Sequence, residues 1–160
     1  MKYFTLWASF TLIFFFSGCS VKEYQTSEAK IITFKSPKLR FNDLGYIRQS
    51  DDAIQVELFS AGQAVERFEI NHLVCITKGC MSKHAFNEEY FIAAYPDDLL
   101  QNILLGRKIF DGKETEQKEG GFDQYLQGET YDITYRVNSE QTFFRDRAND
   151  ILIRIRAVKK

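Results

Sequence analysis

The sequence has very little proline, no large excess of either charge and no catalytic motif of a familiar kind. Only two of its 160 residues are proline, whereas fifteen are phenylalanine and eight are tyrosine. This composition favours β-strands and argues against a disordered chain. The formal net charge is −1 and the basic residues are scattered along the sequence, so nothing indicates a nucleic-acid partner.

The signatures of the common enzyme classes are missing. The sequence has no phosphate-binding glycine loop, no Gly-x-Ser-x-Gly elbow and no zinc-protease helix. Its two histidines, His72 and His84, flank a pair of cysteines singly and lack a matched second pair of metal ligands. We therefore predict that the protein is not an enzyme and holds no metal ion or dissociable cofactor.

The N-terminus has the parts of a bacterial export signal. Lys2 gives a basic start, and an almost unbroken apolar run covers residues 4–16. A spanning helix needs roughly 20 apolar residues, so an uncleaved membrane anchor is the weaker interpretation. The run ends in Phe16-Ser17-Gly18-Cys19, which resembles the lipobox of bacterial lipoprotein precursors.

The lipobox resemblance implies a processing step and a location. Residues 1–18 would be a signal peptide, and Cys19 would become the first residue and carry a covalent lipid such as palmitate. Ser20 follows the cysteine where an Asp would retain a lipoprotein in the inner membrane. The resemblance therefore implies a lipid-anchored protein of the outer membrane, on its periplasmic face.

The remaining 142 residues suit one domain with a real core. Residues 19–38 are polar and mixed, which predicts a lipidated N-terminus and a tether. Residues 31–34 are either the end of this tether or a first edge strand, and Pro37 favours an extended lead-in over a strand. Residues 39–160 would then form the β domain.

Cys75 and Cys80 are the only other cysteines, and an oxidising compartment favours a disulfide between them. Lys78-Gly79 is a plausible turn, so the bridge would staple a tight hairpin. Two alternatives stay open at this point, namely free thiols and a metal site that also uses His72 and His84.

Alternating apolar residues predict an antiparallel fold with few helices. The predicted strands cover residues 39–48, 54–58, 64–70, 72–76, 122–126, 131–137, 142–144 and 151–158. Helices are predicted over residues 82–90, with Ser82 as the N-cap or with a later start capped by Asn87, and over residues 96–105, with Gly106 as the stop. Asp97-Asp98 suits the first turn of the second helix as a surface pair. Residues 112–121 are charged and bounded by glycine, which predicts a solvated loop.

This order of parts resembles the outer-membrane lipoprotein receptor LolB and its periplasmic relative, the carrier LolA. The segments that carry the resemblance are residues 54–59 with the Gly62 turn, residues 97–110, residues 131–135 and residues 150–155. The resemblance implies a mainly β fold with α, an antiparallel half-open β-barrel covered by one or two short helices.

The resemblance also implies an apolar cavity that takes acyl chains, with membrane lipid, other lipoproteins or a periplasmic carrier as partners. Aromatic and aliphatic side chains on the strands and the second helix would line it. The candidates are Val56, Leu58, Phe68, Leu100, Ile103, Leu104, Ile133 and Tyr135. The alternative is a non-enzymatic binding or scaffold lipoprotein with an immunoglobulin-like sandwich, in which the predicted helix over 96–105 would be an unusual insertion.

Overall fold

A computed structural model describes residues 24–158, and within this part of the chain eleven strands form a single antiparallel sheet. In chain order the strands are β1 Thr26–Lys35, β2 Arg40–Gln49, β3 Ile54–Ser60, β4 Gln63–Ile70, β5 Leu73–Ile76, β6 Gly79–Ser82, β7 Thr115–Lys118, β8 Gly121–Gln127, β9 Asp132–Val137, β10 Gln141–Asp146 and β11 Ile151–Ala157. Two helices, α1 (Lys83–Tyr90) and α2 (Leu99–Leu104), and a 3-10 turn at Phe110–Gly112 connect β6 to β7.

The first strand lies in the middle of the sheet. The spatial order is β6-β5-β4-β3-β2-β1-β11-β10-β9-β8-β7, so β1 pairs with β2 on one side and with the last strand, β11, on the other. The sheet is not closed, and its two edges are the short strands β6 and β7. A mainly β, antiparallel and open architecture with few helices is therefore confirmed.

The tether predicted for residues 19–38 is wrong over its second half. Residues 26–35 form the ten-residue strand β1, with Ile32 and Phe34 buried in the core. Pro37 lies just beyond the strand, so its missing N–H costs the sheet no hydrogen bond. The folded domain therefore begins near Thr26 rather than at residue 39, while residues 19–23 lie outside the described part.

The solvated loop predicted for residues 112–121 is also wrong. Thr115–Lys118 form the edge strand β7, which pairs with the beginning of β8 and turns at Glu119 and Gly120. Nearly every side chain of β7 is exposed. An edge strand exposed on both faces has no apolar alternation, so the pattern in the sequence could not indicate it.

Both predicted helices form, although α2 is shorter than expected. The Ser82 hydroxyl accepts a hydrogen bond from the Ala85 N–H, as an N-cap does. α2 begins only at Leu99, because residues 96–98 form a turn whose first carbonyl accepts from the Leu99 N–H. Gly106 ends it with a φ of 62°, a left-handed conformation that glycine adopts without strain.

The helices cover one face of the sheet and complete a single core. Alternate strand residues such as Ile54, Val56 and Ile153 point to this buried face, where they meet Phe86 of α1 and Ile103 of α2. An immunoglobulin-like sandwich is therefore not the fold, since all strands of residues 24–158 belong to one sheet and helices take the place of a second one. A protein that begins at Ser20 keeps all the strands and both helices found in residues 24–158.

Candidate functional site

A small apolar gap lies between α2 and the centre of the sheet. It has a volume of about 10 Å³ and only apolar side chains around it. They come from β1, β3, β4, α2 and β11, and they are Ile32, Phe34, Val56, Leu58, Phe68, Leu100, Leu104 and Ile153. We call this space the apolar gap.

Five of the eight predicted cavity residues line the apolar gap, namely Val56, Leu58, Phe68, Leu100 and Leu104. The other three, Ile103, Ile133 and Tyr135, do not. The two isoleucines are buried in the core.

Tyr135 instead holds the end of α2. Its hydroxyl donates a hydrogen bond of 2.8 Å to the Arg107 carbonyl and lies 3.5 Å from the Asn102 carbonyl. Burial raises the pKa of Tyr135, so the hydroxyl stays a donor. This residue fixes the cover over the gap rather than the gap itself.

The apolar gap is closed in this conformation. Its volume of about 10 Å³ is at the lower limit for one water molecule. Ligand pockets for molecules of drug size usually measure about 300–1,000 Å³. An acyl chain could therefore enter only if α2 moved away from the sheet.

A larger, open depression adjoins the gap at the C-terminal end of α2. Its volume is about 310 Å³, and we call it the mouth. The mouth is bounded by the start of β1, the ends of β2 and β11, the β9–β10 turn and residues 104–106. Leu104 lines both spaces, so the mouth and the apolar gap are neighbours at this side chain.

Polar and apolar side chains line the mouth together. Glu28 and Lys30 of β1 form a 2.6 Å ion pair there, and Glu140 and Gln141 add polar surface. Ile47 and Ile155 contribute apolar surface to the same depression. The mouth thus offers contacts to both a polar and an apolar group.

Few polar contacts hold α2 in place. Lys83 of α1 donates a 2.8 Å hydrogen bond to the Gln101 side chain, and the Asn102 side chain donates one of 2.7 Å to Asp98. Asp97 lies 3.7 Å from the His84 ring on the surface. Both aspartates lie on the surface, but their predicted place in the first turn is wrong, because α2 begins only at Leu99.

The predicted disulfide is present. Cys75 and Cys80 are bonded across the β5–β6 hairpin, where they face each other in the strand register. Both sulfurs are used, so neither can act as a thiolate ligand together with His72 or His84. Among residues 24–158 no three His, Cys, Asp or Glu side chains are placed to hold a metal ion.

The turn between β3 and β4 exposes no large apolar side chain. Ala61 and Gly62 form its tip with positive φ angles of 50° and 80°. Phe59, at its edge, packs against Tyr46 with the ring centroids 5.5 Å apart.

Two buried polar side chains serve the fold. Asp146 is fully buried and accepts hydrogen bonds from the Tyr95 hydroxyl, the Asn149 amide and the backbone N–H groups of Asp132 and Ala148. Four donors satisfy a carboxylate well, which explains why a buried charge is tolerated here.

Gln124 of β8 is the second of these buried polar side chains. Its side chain accepts a hydrogen bond from the Ile109 N–H and donates to the carbonyls of Ile109 and Lys113. It thereby fixes the segment after α2 to β8. Nothing in the sequence pattern indicates that Asp146 and Gln124 are buried.

Glu57 forms the centre of an ionic cluster on the outer face, the face opposite the core. It accepts hydrogen bonds from Arg48 of β2 and Arg67 of β4. Burial raises the pKa of Glu57, but the hydrogen bonds and charges of the two arginines outweigh it and lower the pKa below 4.5.

We expect Glu57→Gln to reduce the pH dependence of stability in acid. A carboxylate with a lowered pKa stabilises the fold above its unfolded-state value and loses this effect as the pH falls through its folded value. The variant should be less stable than the wild type at pH 7, and the difference should narrow below about pH 4.5. Urea unfolding at several pH values measures it. Glu119→Gln, the same change at an exposed position, should show the wild-type dependence of the free energy of unfolding on pH. The prediction would be contradicted if Glu57→Gln differed from the wild type by the same free energy at every pH.

Cys19, the predicted lipid attachment site, lies outside the described residues. Within residues 24–158, neither helix has the length and apolar character needed to cross a bilayer. Searches of protein-family models, of curated proteins and of solved structures found no match to this chain.

Proposed function

We propose that the protein is an outer-membrane lipoprotein of the periplasmic face that binds an acyl chain between α2 and the sheet. The observation that carries the proposal is that Leu104 lines both the mouth and the apolar gap, so the two spaces lie side by side. A partly polar mouth beside a purely apolar gap suits an amphiphile with one charged end.

The position of the mouth fits a membrane anchor at Cys19. Thr26, Glu28 and Lys30 of β1 line the mouth, and Thr26 is seven residues after Cys19 in the sequence. Seven residues reach at most about 25 Å. A lipid on Cys19 would therefore keep the mouth close to the bilayer from which an acyl chain would come.

Binding requires α2 to move. The helix has six residues, and its polar contacts are few. Each buried methylene of a ligand contributes about 0.8 kcal/mol, so a long acyl chain would offset the loss of α2 packing. In this proposal α2 is a cover that the ligand displaces.

The anchor is tested by Cys19→Ser in the full-length chain. We expect the wild type in the membrane fraction, with a mass increased by fatty acyl groups, and the variant in the soluble fraction. Fractionation and mass spectrometry measure both properties. Cys75→Ser serves as the matched cysteine control and should stay in the membrane. An unmodified Cys19 thiol with residues 1–18 still attached would contradict the anchor.

The acyl site is tested by Leu104→Phe in a protein that begins at Ser20. The larger ring would fill space where the mouth meets the apolar gap. Because the ligand would then have less room, palmitate binding should weaken by about tenfold. Displacement of a fluorescent fatty acid by palmitate measures it. Leu105→Phe is the control, because Leu105 lines only the mouth and should leave the affinity near that of the wild type.

A second candidate is a scaffold lipoprotein whose domain binds partners by its surface. The closed state of the gap, about 10 Å³, favours this function. The fatty-acid assay separates the two candidates. If the wild type displaces no probe at any palmitate concentration, the acyl site is wrong and the scaffold function remains.

A further inference from the structure

Basic side chains gather on one half of the outer face. They lie on the neighbouring strands β2, β1, β11, β10 and β9 and point away from the core. They are Arg40, Lys35, Arg154, Arg156, Arg145 and Arg136. We call this surface the cationic face.

The strand register places these side chains in three adjacent rows. Lys35 lies directly between Arg40 and Leu152, and Leu152 in turn faces Arg145. In the next row Phe143 lies between Arg154 and Arg136. Side chains on directly paired strand positions are about 4.5–5.5 Å apart at Cβ. Arg40 and Lys35 are therefore close neighbours, while one apolar residue separates the cations in the rest of these rows.

Acidic residues are few on the cationic face. Asp123 lies 3.8 Å from Arg136 at one end, and Asp150 pairs with Lys35 at 2.6 Å at the other. The hydrogen bond from Lys35 lowers the pKa of Asp150, and the charges of Arg145 and Arg40 lower it further. The six cations therefore outnumber their acidic neighbours, although the whole chain has a net charge of −1.

Apolar side chains are interleaved with the cations. The Arg154 guanidinium lies 5.0 Å from the centre of the Phe143 ring, and its Nε is buried without a hydrogen-bond partner. Leu152 lies in the row beside them, half-buried. Cations with apolar residues between them are typical of surfaces that lie at the interface of an anionic membrane.

We propose that the cationic face docks flat on an anionic phospholipid bilayer. The proposal rests on the lipid anchor proposed above. Six residues separate Cys19 from Thr26, so a lipid on Cys19 would hold the domain within about 25 Å of the bilayer. At that distance a weak electrostatic attraction is enough to select an orientation, because the effective concentration of the surface is high.

A bilayer fits this face better than a protein or a nucleic acid does. The cations spread over five neighbouring strands of the sheet. The apolar side chains between them could enter the headgroup region. The lipid proposed on Cys19 would also hold the beginning of β1 near a bilayer.

The experiment uses a protein that begins at Ser20, so that no lipid contributes to binding. Vesicles of phosphatidylcholine with and without phosphatidylglycerol are sedimented with the protein at low salt. We expect binding only to the anionic vesicles, and a decrease as salt is added. Replacing Arg40, Arg136 and Arg145 together with glutamine should weaken binding on the order of 100-fold, at about fivefold for each cation.

The control has the same change of charge elsewhere. Lys78, Lys108 and Lys113, exposed and outside the cationic face, are replaced together with glutamine and should leave vesicle binding near that of the wild type. Equal loss in both triple variants, equal binding to neutral vesicles, or tighter binding to single-stranded DNA than to vesicles would overturn the proposal. None of these results bears on the acyl-chain assay or on the lipid at Cys19, so failure of this proposal is distinguishable from failure of the proposed function.

Discussion

Asp146→Ala should lower the free energy of unfolding by about 3 kcal/mol, which corresponds to a decrease in Tm on the order of 10 °C. The carboxylate is fully buried and accepts four hydrogen bonds. Its removal leaves the Tyr95 hydroxyl, the Asn149 amide and two backbone N–H groups without a partner in the interior. Unsatisfied buried donors cost more than the net gain of the bonds they once formed.

Two further variants separate this network from an ordinary loss of a side chain. Tyr95→Phe removes one of the four donors and should cost about 1–2 kcal/mol. Asp97→Ala removes an exposed carboxylate and should stay within about 0.5 kcal/mol of the wild type. Urea unfolding followed by circular dichroism measures all three. If Asp146→Ala were as stable as Asp97→Ala, the network would have no energetic role.

Phe86→Ala should destabilise the protein by about 3–5 kcal/mol, because the side chain is fully buried and its loss leaves a cavity. The ring stacks on Tyr90 at 4.6 Å and contacts Phe91 and Phe68 edge to face. It is therefore the main apolar link between α1 and the sheet. We expect the variant to lose near-ultraviolet circular dichroism from the aromatic cluster at a lower urea concentration than the wild type.

His84→Ala is the matched change on the same helix. Its side chain is exposed, with only 3.6 Å and 3.7 Å contacts to carboxylates on the surface. A change within about 0.5 kcal/mol is expected. A similar decrease in the free energy of unfolding for Phe86→Ala and His84→Ala would mean that the buried face of α1 does not hold the helix on the sheet.

The sequence predicted the strands that have one buried face and one exposed face. Ile54, Val56 and Leu58 alternate with polar residues, and the structure buries all three. Ile151, Ile153 and Ile155 do the same on β11. In both strands the period of two follows directly from the geometry of a sheet with one covered side. The Cys75–Cys80 hairpin was predictable for a different reason. The expected oxidising compartment favoured a disulfide, and the short spacing with a turn at Lys78-Gly79 favoured a hairpin.

The errors have identifiable physical causes. β1 has alternating burial only in its last residues, where Ile32 and Phe34 lie, while the residues before Lys30 are exposed although they pair with β2. The polar start of the strand therefore resembled a tether. β7 is exposed on both faces, and only its backbone pairing to β8 defines it.

The candidate site was predictable in part. The alternation on β3 and β4 and the helical spacing of α2 indicated which side chains meet beneath the helix, and five of the eight line the apolar gap. Alternation cannot tell which buried side chains border a space and which fill one. Ile103 and Ile133 were therefore predicted to line a cavity, although they are packed in the core. Which side chains border a space depends on how the whole domain packs.

The central place of β1 also has a consequence for how the chain reaches its native state. Ile32 is paired with Ile155, so the contact that joins the two halves of the sheet spans almost the entire described sequence. Pairing between strands so far apart in the sequence slows folding, because both must be brought together before it can form. During synthesis β1 can pair with β2 early, but its other edge stays unpaired until β11 has been made.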